Sequence, residues 1–126
     1  ESLSNRQNEL RLIIDTEEHG AIGVVMLTDI DWKNRIAQSH WKITSRNNLR
    51  GKGYGTKAIR ALIKYGLEEL NMHCIYCKII EYNIVSQRVA EKNGFKKEGV
   101  LRERVYKNGK YHNVIVWSIL KGEFNE

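Results

Sequence analysis

The sequence predicts an α/β (α+β) fold with a mixed, mostly antiparallel central sheet flanked by helices. Apolar runs alternate with two amphipathic segments in the order β-β-β-α-β-α-β-β. Hairpins at both ends of this order give antiparallel neighbours, whereas helices between the middle strands give parallel ones. The chain has 126 residues, of which 41% are hydrophobic. This length suits one core, so we expect a single domain over residues 1–126.

Three strands are predicted in the first part of the chain. The first is "LRLIID" at residues 10–15, and the second is the longer, mostly buried "AIGVVMLTDI" at 21–30. The polar segment "DWKNR" follows, and "IAQSHWKIT" at 36–44 supplies the third strand. Residues 21–45 therefore predict a hairpin.

Two helices are predicted from the spacing of apolar residues and from their end signals. In the first helix the buried face repeats about every 3.6 residues, at Ile59, Leu62, Ile63, Gly66 and Leu70. Asn71 is expected to end it. The second helix is expected over residues 84–93, with Asn83 as its N-cap and Asn93-Gly94 as its C-terminal stop.

Three further strands complete the predicted sheet. Residues 73–80, "HCIYCKII", form a strand between the two helices. Residues 95–101 and 112–120 form the last two strands, joined by the turn "YKNGKY". The second half of the chain therefore ends in a hairpin.

The charge of the chain favours an anionic partner. The net charge is +6, which suits nucleic acid, a phosphorylated small molecule or an acidic surface. No apolar run approaches the roughly 20 residues of a membrane-spanning helix. We therefore expect a cytoplasmic protein with no membrane partner.

The two cysteines, Cys74 and Cys77, lie in a C-x-x-C pattern. A zinc site normally needs a second such pair or a histidine pair, and neither follows. On a strand, residues three apart point to opposite faces. We expect two ordinary thiols in a reducing compartment and no metal site.

A glycine-rich, basic segment precedes the first helix. Gly51, Gly53 and Gly55 fall within five positions, and Arg50 and Lys52 lie among them. The first backbone N–H groups of a helix lack internal partners and carry the positive end of its dipole. Glycines let these groups converge on a phosphate without a Cβ in the way. The segment therefore predicts an anion site, although neither the Walker pattern nor the dinucleotide fingerprint fits.

The pattern that fits is R-x-x-G-x-G, as Arg50, Gly53 and Gly55. "LRGKGYGTKA" resembles the pyrophosphate-binding motif of the GNAT family of N-acetyltransferases. "NIVSQRVAEKNGFKKEGVLRE" at 83–103 resembles a segment of the RimJ/RimL-like branch of that family. The resemblance covers the chain from about residue 11 to its end. It also implies a strand and one or two helices before residue 10, so we expect these N-terminal elements to be short or missing.

The resemblance implies that acetyl-CoA is the co-substrate and that no metal takes part. It implies that the reaction moves the acetyl group to a primary amine, of a protein N-terminus or a small molecule, by direct attack in a ternary complex. The pyrophosphate would lie on the backbone of Gly51, Lys52, Gly53, Tyr54, Gly55 and Thr56, beside Arg50. The pantetheine would run along Lys42, Ile43 and Thr44. Asn83 would bind the coenzyme arm, and Ser86 and Arg88 would lie close to the coenzyme.

The resemblance also nominates catalytic residues. Many members use a tyrosine in the second helix to protonate the leaving thiolate, but Ala90 holds that position here. In the RimJ/RimL-like branch a serine at the position of Ser86 takes this role. A small polar residue at the third position of a helix, with no catalytic part, stays the alternative for Ser86. A general base is expected at His40 or Glu103, and free histidine changes charge near pH ~6.5, which suits that task. A strand histidine with no catalytic part stays the alternative for His40.

Two other functions remain open from the sequence. A non-catalytic acetyl-CoA-binding protein of the same fold is compatible with Ala90. A basic nucleic-acid-binding module is less well supported, because no RNP-type, helix-turn-helix or zinc pattern occurs. The acceptor amine is not identified, although the basic balance disfavours a polycation. A homodimer is also left open.

Overall fold

The computed structural model describes residues 8–18, 20–43 and 53–125. Within these residues, six strands and two α-helices follow one another in the predicted order. Their bounds are β1 (Leu10–Thr16), β2 (Gly20–Asp31), β3 (Ile36–Ile43), α1 (Tyr54–Lys64), β4 (Cys74–Ile80), α2 (Ile84–Lys92), β5 (Lys96–Lys107) and β6 (Lys110–Leu120).

The strands form one sheet in the order β1-β2-β3-β4-β6-β5. Every neighbouring pair is antiparallel except β3 and β4, which are parallel. Parallel strands need a long crossover connection, and α1 lies in that connection. The prediction of a mixed, mostly antiparallel sheet is confirmed.

The parallel strands β3 and β4 remain paired over a short distance only. Their ladder has three residue pairs and ends at Gln38, opposite Tyr76. The Ser39 hydroxyl donates to the Tyr76 carbonyl at 3.3 Å. Beyond that point β3 continues to Ile43 beside β2, and β4 continues to Ile80 beside β6. The two strands therefore diverge, and the middle of the sheet opens at one end.

Both helices pack on the same face of the sheet. The Arg60 guanidinium of α1 donates from Nη2 to the Lys92 carbonyl at the end of α2, at 3.2 Å. The buried residues of both helices and of the strands belong to one core cluster, which includes Leu27, Ala37, Ile59, Leu62, Ile63, Ile75, Cys77, Ala90 and Ile119. Burial alternates along β4, as a strand with one face against helices requires. This shared core fixes the positions of both helices relative to the open end of the sheet.

The first helix changes geometry before it ends. It widens into a π-helical turn at Tyr65–Glu69, and Leu70 N donates to Tyr65 O at 3.0 Å. Asn71 then adopts a left-handed φ of 58°. The predicted stop at Asn71 is therefore confirmed, and the wider turn keeps Gly66 and Leu67 both buried against the sheet.

The last hairpin is longer than the sequence predicts. β5 extends to Lys107 rather than to residue 101, and β6 begins at Lys110 rather than at residue 112. The turn is reduced to Asn108-Gly109, whose φ values are 55° and 80°. Positive φ at both positions matches the natural twist of a two-residue hairpin. The pairing register shifts between Leu101 and Val105, and this bulge hides the strand's continuation from a periodicity argument.

The two cysteines are free thiols, with Cys74 half-buried and Cys77 buried. Over residues 8–18, 20–43 and 53–125, no group of three or more His, Cys, Asp or Glu side chains could hold a metal ion. No helix in the same part of the chain is long and apolar enough to span a membrane.

We predict that Gly66→Ala destabilises the fold. A Cβ at this position would lie 2.7 Å from Ile75 Cδ1 and 3.2 Å from Leu27 Cδ1. Overpacking costs roughly 1–3 kcal/mol, and the better helix propensity of alanine recovers up to about 1 kcal/mol. Urea unfolding should therefore show a net loss of about 1 kcal/mol.

Gly99→Ala is the matched control, because a Cβ there meets nothing within 4 Å. Its unfolding free energy should stay within about 0.5 kcal/mol of the parent. Equal losses for both variants would show that close packing at Gly66 is not the cause.

Candidate active site

A cavity of about 280 Å³ opens where β3 and β4 diverge. Three stretches of chain surround it: the middle of β3, the end of β4 and the first turn of α2. The lining residues are Ser39, His40, Trp41, Cys77, Lys78, Ile79, Ile80, Asn83 and Ser86. Two residues nominated as catalytic from the sequence, His40 and Ser86, thus line the same cavity.

Asn83 and Ser86 reach the cavity from the start of α2. Asn83 is the N-cap, and its Oδ1 accepts a hydrogen bond from Ser86 N at 3.1 Å. This confirms the predicted cap. The cap satisfies one backbone N–H that the helix itself leaves without a partner. It also fixes the backbone that carries the half-buried Ser86 hydroxyl.

The loop before α2 is anchored to the neighbouring strand by Glu81. Its Oε2 accepts from Asn113 N at 2.7 Å, and its own N–H donates to Asn113 O at 3.0 Å. The Gln87 side chain donates to Glu81 O at 2.8 Å. His112 Nδ1 lies 3.9 Å from the same Oε2. Because α2 begins three residues later, these bonds position the first turn of α2, which carries Ser86, relative to β6.

His40 lines the cavity from β3, and its ring contacts Thr28 of β2. The His40 Nε2 atom lies 2.7 Å from Thr28 Oγ1, and Thr28 Oγ1 in turn donates to Asp29 Oδ2 at 3.2 Å. A hydroxyl has one proton, so Nε2 is the donor when that proton points to Asp29. In that arrangement Nδ1 of His40 carries the lone pair and can accept a proton.

Cys77 also lines the cavity, but its thiol is a poor nucleophile. Burial raises the pKa of its thiol to about 12. Only the thiolate is a good nucleophile, and at neutral pH roughly 1 part in 10⁵ of such a thiol is ionised. Cys77 therefore acts as a small apolar wall residue.

The start of α1 has the geometry of an anion site as far as the structure describes it. Gly53 is the N-cap with φ 76°, a left-handed conformation that favours glycine. The first turn contains no acidic residue. At Gly55 a Cβ would lie 3.2 Å from Ile43 Cδ1, so the helix begins close against the end of β3. Tyr54 and Thr56 belong to this first turn.

Several nominated residues lie elsewhere or outside the described residues. Thr44, Arg50, Gly51 and Lys52 fall outside them, so their predicted coenzyme contacts stay predictions. Lys42 and Ile43 end β3, and Arg88 is exposed on α2. Glu103 does not line the cavity: it is exposed in the bulge of β5 with φ 52°, and its N–H donates to Asn113 Oδ1 at 2.9 Å.

The family model described as "Acetyltransferase (GNAT) domain" matches residues 2–96, which is more than half of the chain. The chain belongs to the GNAT acetyltransferase family. Within it, the predicted RimJ/RimL-like branch is also confirmed.

Curated relatives of this GNAT chain include two that are informative. It is 35% identical to the putative ribosomal N-acetyltransferase YdaF of Bacillus subtilis, over 81% of this chain and 55% of the relative. It is 29% identical to the spermidine N(1)-acetyltransferase of Vibrio cholerae, over 92% of this chain and 66% of the relative. The chain thus spans about half to two thirds of the length of these relatives.

Solved structures resemble this GNAT fold closely. The spermidine N-acetyltransferase from Vibrio cholerae, solved in complex with CoA and spermine, superposes with a TM-score of 0.85 at 29% identity. The match covers 96% of this chain and 69% of that one. The predicted GNAT fold is therefore confirmed.

Sequence reasoning did not identify the β4 wall of the cavity or the anchor at Glu81. Lys78 and Ile80 look like ordinary strand residues, because the divergence of two strands leaves no local pattern. A signal for Glu81 did exist: a carboxylate two residues before an asparagine N-cap, directly after a buried strand.

We predict that Asn83→Ala weakens α2 without help from any ligand. Loss of the cap leaves Ser86 N without its acceptor, and such losses cost about 1 kcal/mol. Thermal unfolding of the coenzyme-free protein should report this decrease. Asn83→Asp retains a capping oxygen and should stay close to the parent, and a loss of equal size in both variants would contradict the capping role.

Proposed function

We propose that this chain transfers the acetyl group of acetyl-CoA to a primary amine of a protein N-terminus or a small molecule. The observation that carries the proposal is the cavity at the β3–β4 divergence, lined by His40 and Ser86. A GNAT relative of very similar structure is described in complex with CoA and spermine, which supports coenzyme use by the same fold.

The open end of the sheet suits the coenzyme arm. Past Gln38, the side of β3 that faces β4 has no ladder partner in β4. Backbone groups at such an edge readily pair with an extended ligand. The pantetheine would lie there, beside Lys42 and Ile43. The phosphates would meet the first turn of α1 at Gly53 to Thr56, where N–H groups and the helix dipole favour negative charge.

The reaction needs a neutral amine, a stabilised oxyanion and a proton for the leaving thiolate. Nδ1 of His40 would accept the amine proton, directly or through one water. The Ser86 hydroxyl would donate to the departing sulfur. The amine nitrogen forms a bond to the acetyl carbon as the carbon–sulfur bond breaks, which releases CoA thiol.

The low reactivity of the Cys77 thiol supports direct attack of the amine on acetyl-CoA in a ternary complex. An acetyl-enzyme route would need a nucleophile in the cavity, and a thiol with a pKa of about 12 is almost fully protonated at neutral pH. The amine itself is then the group that attacks the thioester.

Coenzyme binding is tested with Gly53→Val. A β-branched side chain at a φ of 76° strains the cap, which supplies backbone to the proposed phosphate site. We expect acetyl-CoA affinity, measured by calorimetric titration, to fall at least about tenfold, which corresponds to about 1.4 kcal/mol.

Gly109→Val is the control, because Gly109 also has positive φ and open space around it, but lies in the β5–β6 turn. It should share the backbone strain and retain coenzyme affinity. A parent protein that does not bind acetyl-CoA, or equal affinity in both variants, would refute the proposed coenzyme site.

Catalytic roles are tested by three substitutions in one cavity. Ser86→Ala and His40→Gln should lower kcat by roughly 10²-fold, the usual contribution of a general acid or base, without weakening coenzyme affinity. Cys77→Ala should retain most activity and cost about 1 kcal/mol of stability. The readouts are thiol release over a panel of amines and mass spectrometry for an acetylated cysteine. An acetylated Cys77, or full activity after both other changes, would disprove these assignments.

A further inference from the structure

We propose that the acceptor is a primary amine on an apolar skeleton that also bears an anionic group, and that Arg104 and Lys78 bind that group. The inference rests on the proposed function, because it specifies the acceptor of the same reaction. It depends on a second cavity next to the first.

The second cavity has a volume of about 600 Å³ and is lined by Lys78, Ile80, Leu101, Arg104, Val105 and Val114. Lys78 and Ile80 also line the first cavity. The two cavities therefore share the end of β4 as a common wall. In the proposed pose, the amine lies near His40 and the rest of the acceptor extends past the end of β4 into the second cavity.

The floor of the second cavity is apolar because three strands present side chains on one face. Ile80 of β4 pairs with Val114 of β6, and Val114 pairs with Leu101 of β5. Directly opposite residues in antiparallel strands lie on the same face. The surface suits an aliphatic skeleton rather than a strongly hydrated one.

Arg104 is held beside this floor by the bulge of β5. The register shift between Leu101 and Val105 re-aims the intervening side chains. Glu103 adopts a φ of 52°, and its N–H is fixed by Asn113 Oδ1. The backbone next to Arg104 is therefore pinned.

The charges at the second cavity have one sign. Within the described residues, neither Lys78 nor Arg104 has an ion pair, and no carboxylate residue lines the cavity. The carboxylate of Glu81, which follows the cavity residue Ile80, already accepts a hydrogen bond from Asn113 N. Two cations beside an apolar surface attract a carboxylate or phosphate and repel a polyamine. This lining differs from what a polycationic acceptor requires.

The test uses acceptors of one length and three charges. 6-Aminohexanoate, 6-aminohexanamide and hexane-1,6-diamine share a skeleton and end in a carboxylate, an amide and an ammonium group. A peptide arm compares Leu-Asp-amide with Leu-Asn-amide, which separates a free small molecule from a protein N-terminus as the source of the anionic group. Initial rates of thiol release give kcat/KM, and calorimetric titration into the CoA-saturated protein gives affinity without turnover.

In the aminohexanoate series, the peptide series or both, we expect the carboxylate acceptor to have a kcat/KM at least about tenfold higher than the matching amide acceptor. Hexane-1,6-diamine should be the poorest acceptor of the first series. Arg104→Gln should reduce that ratio to within about threefold of one. Arg102→Gln, a neighbouring cation that does not line the cavity, should preserve the ratio.

The outcomes separate the two proposals. Thiol release that is equal with the amide, or fastest with the diamine, overturns this inference and leaves the proposed function in place. A preference that persists unchanged in Arg104→Gln also overturns it. If no amine releases thiol, the proposed function fails, and the affinity ratio between carboxylate and amide alone decides this inference.

Discussion

The short parallel contact between β3 and β4 is the constraint on which the candidate site depends. Three residue pairs join the two halves of the sheet, and the ladder ends at Gln38 and Tyr76. A longer ladder would close the sheet and leave neither a cavity nor a free strand edge. A shorter one would leave fewer backbone hydrogen bonds between the β1–β2–β3 half and the half that carries α2. Each half is instead held by its own antiparallel pairing, so β3 and β4 stay in the sheet after they separate.

Close approach at glycines fixes the helices relative to that divergence. A Cβ at Gly66 would enter the side chain of Ile75, and a Cβ at Gly55 would press on Ile43. A Cβ at Gly23 would clash with the Lys42 carbonyl oxygen, so β2 also lies tight against the end of β3. The last residues of β3 are therefore confined from two sides. These close contacts fix the start of α1 relative to the open edge of β3.

Much of the fold followed from local patterns, whereas the shape of the site did not. Residue spacing and helix-end signals act over a few positions, and they predict the element order, the Asn83 cap and the Asn71 stop. The extension of β5 was missed because a bulge interrupts its alternation near Glu103. The pairing of Ser86 with His40 across one cavity came from family resemblance, since no local rule relates residues so far apart in the chain. Lys78 was not predicted because its position on the cavity wall depends on where β3 separates from β4.

The low ionisation of the two thiols affects how activity can be assayed. Burial is the main cause of a raised pKa at both Cys74 and Cys77. The thiolate is the form that attacks a disulfide dye, so the raised pKa values should slow the reaction of both thiols near neutrality. A colour assay for liberated coenzyme should consequently run against a low blank.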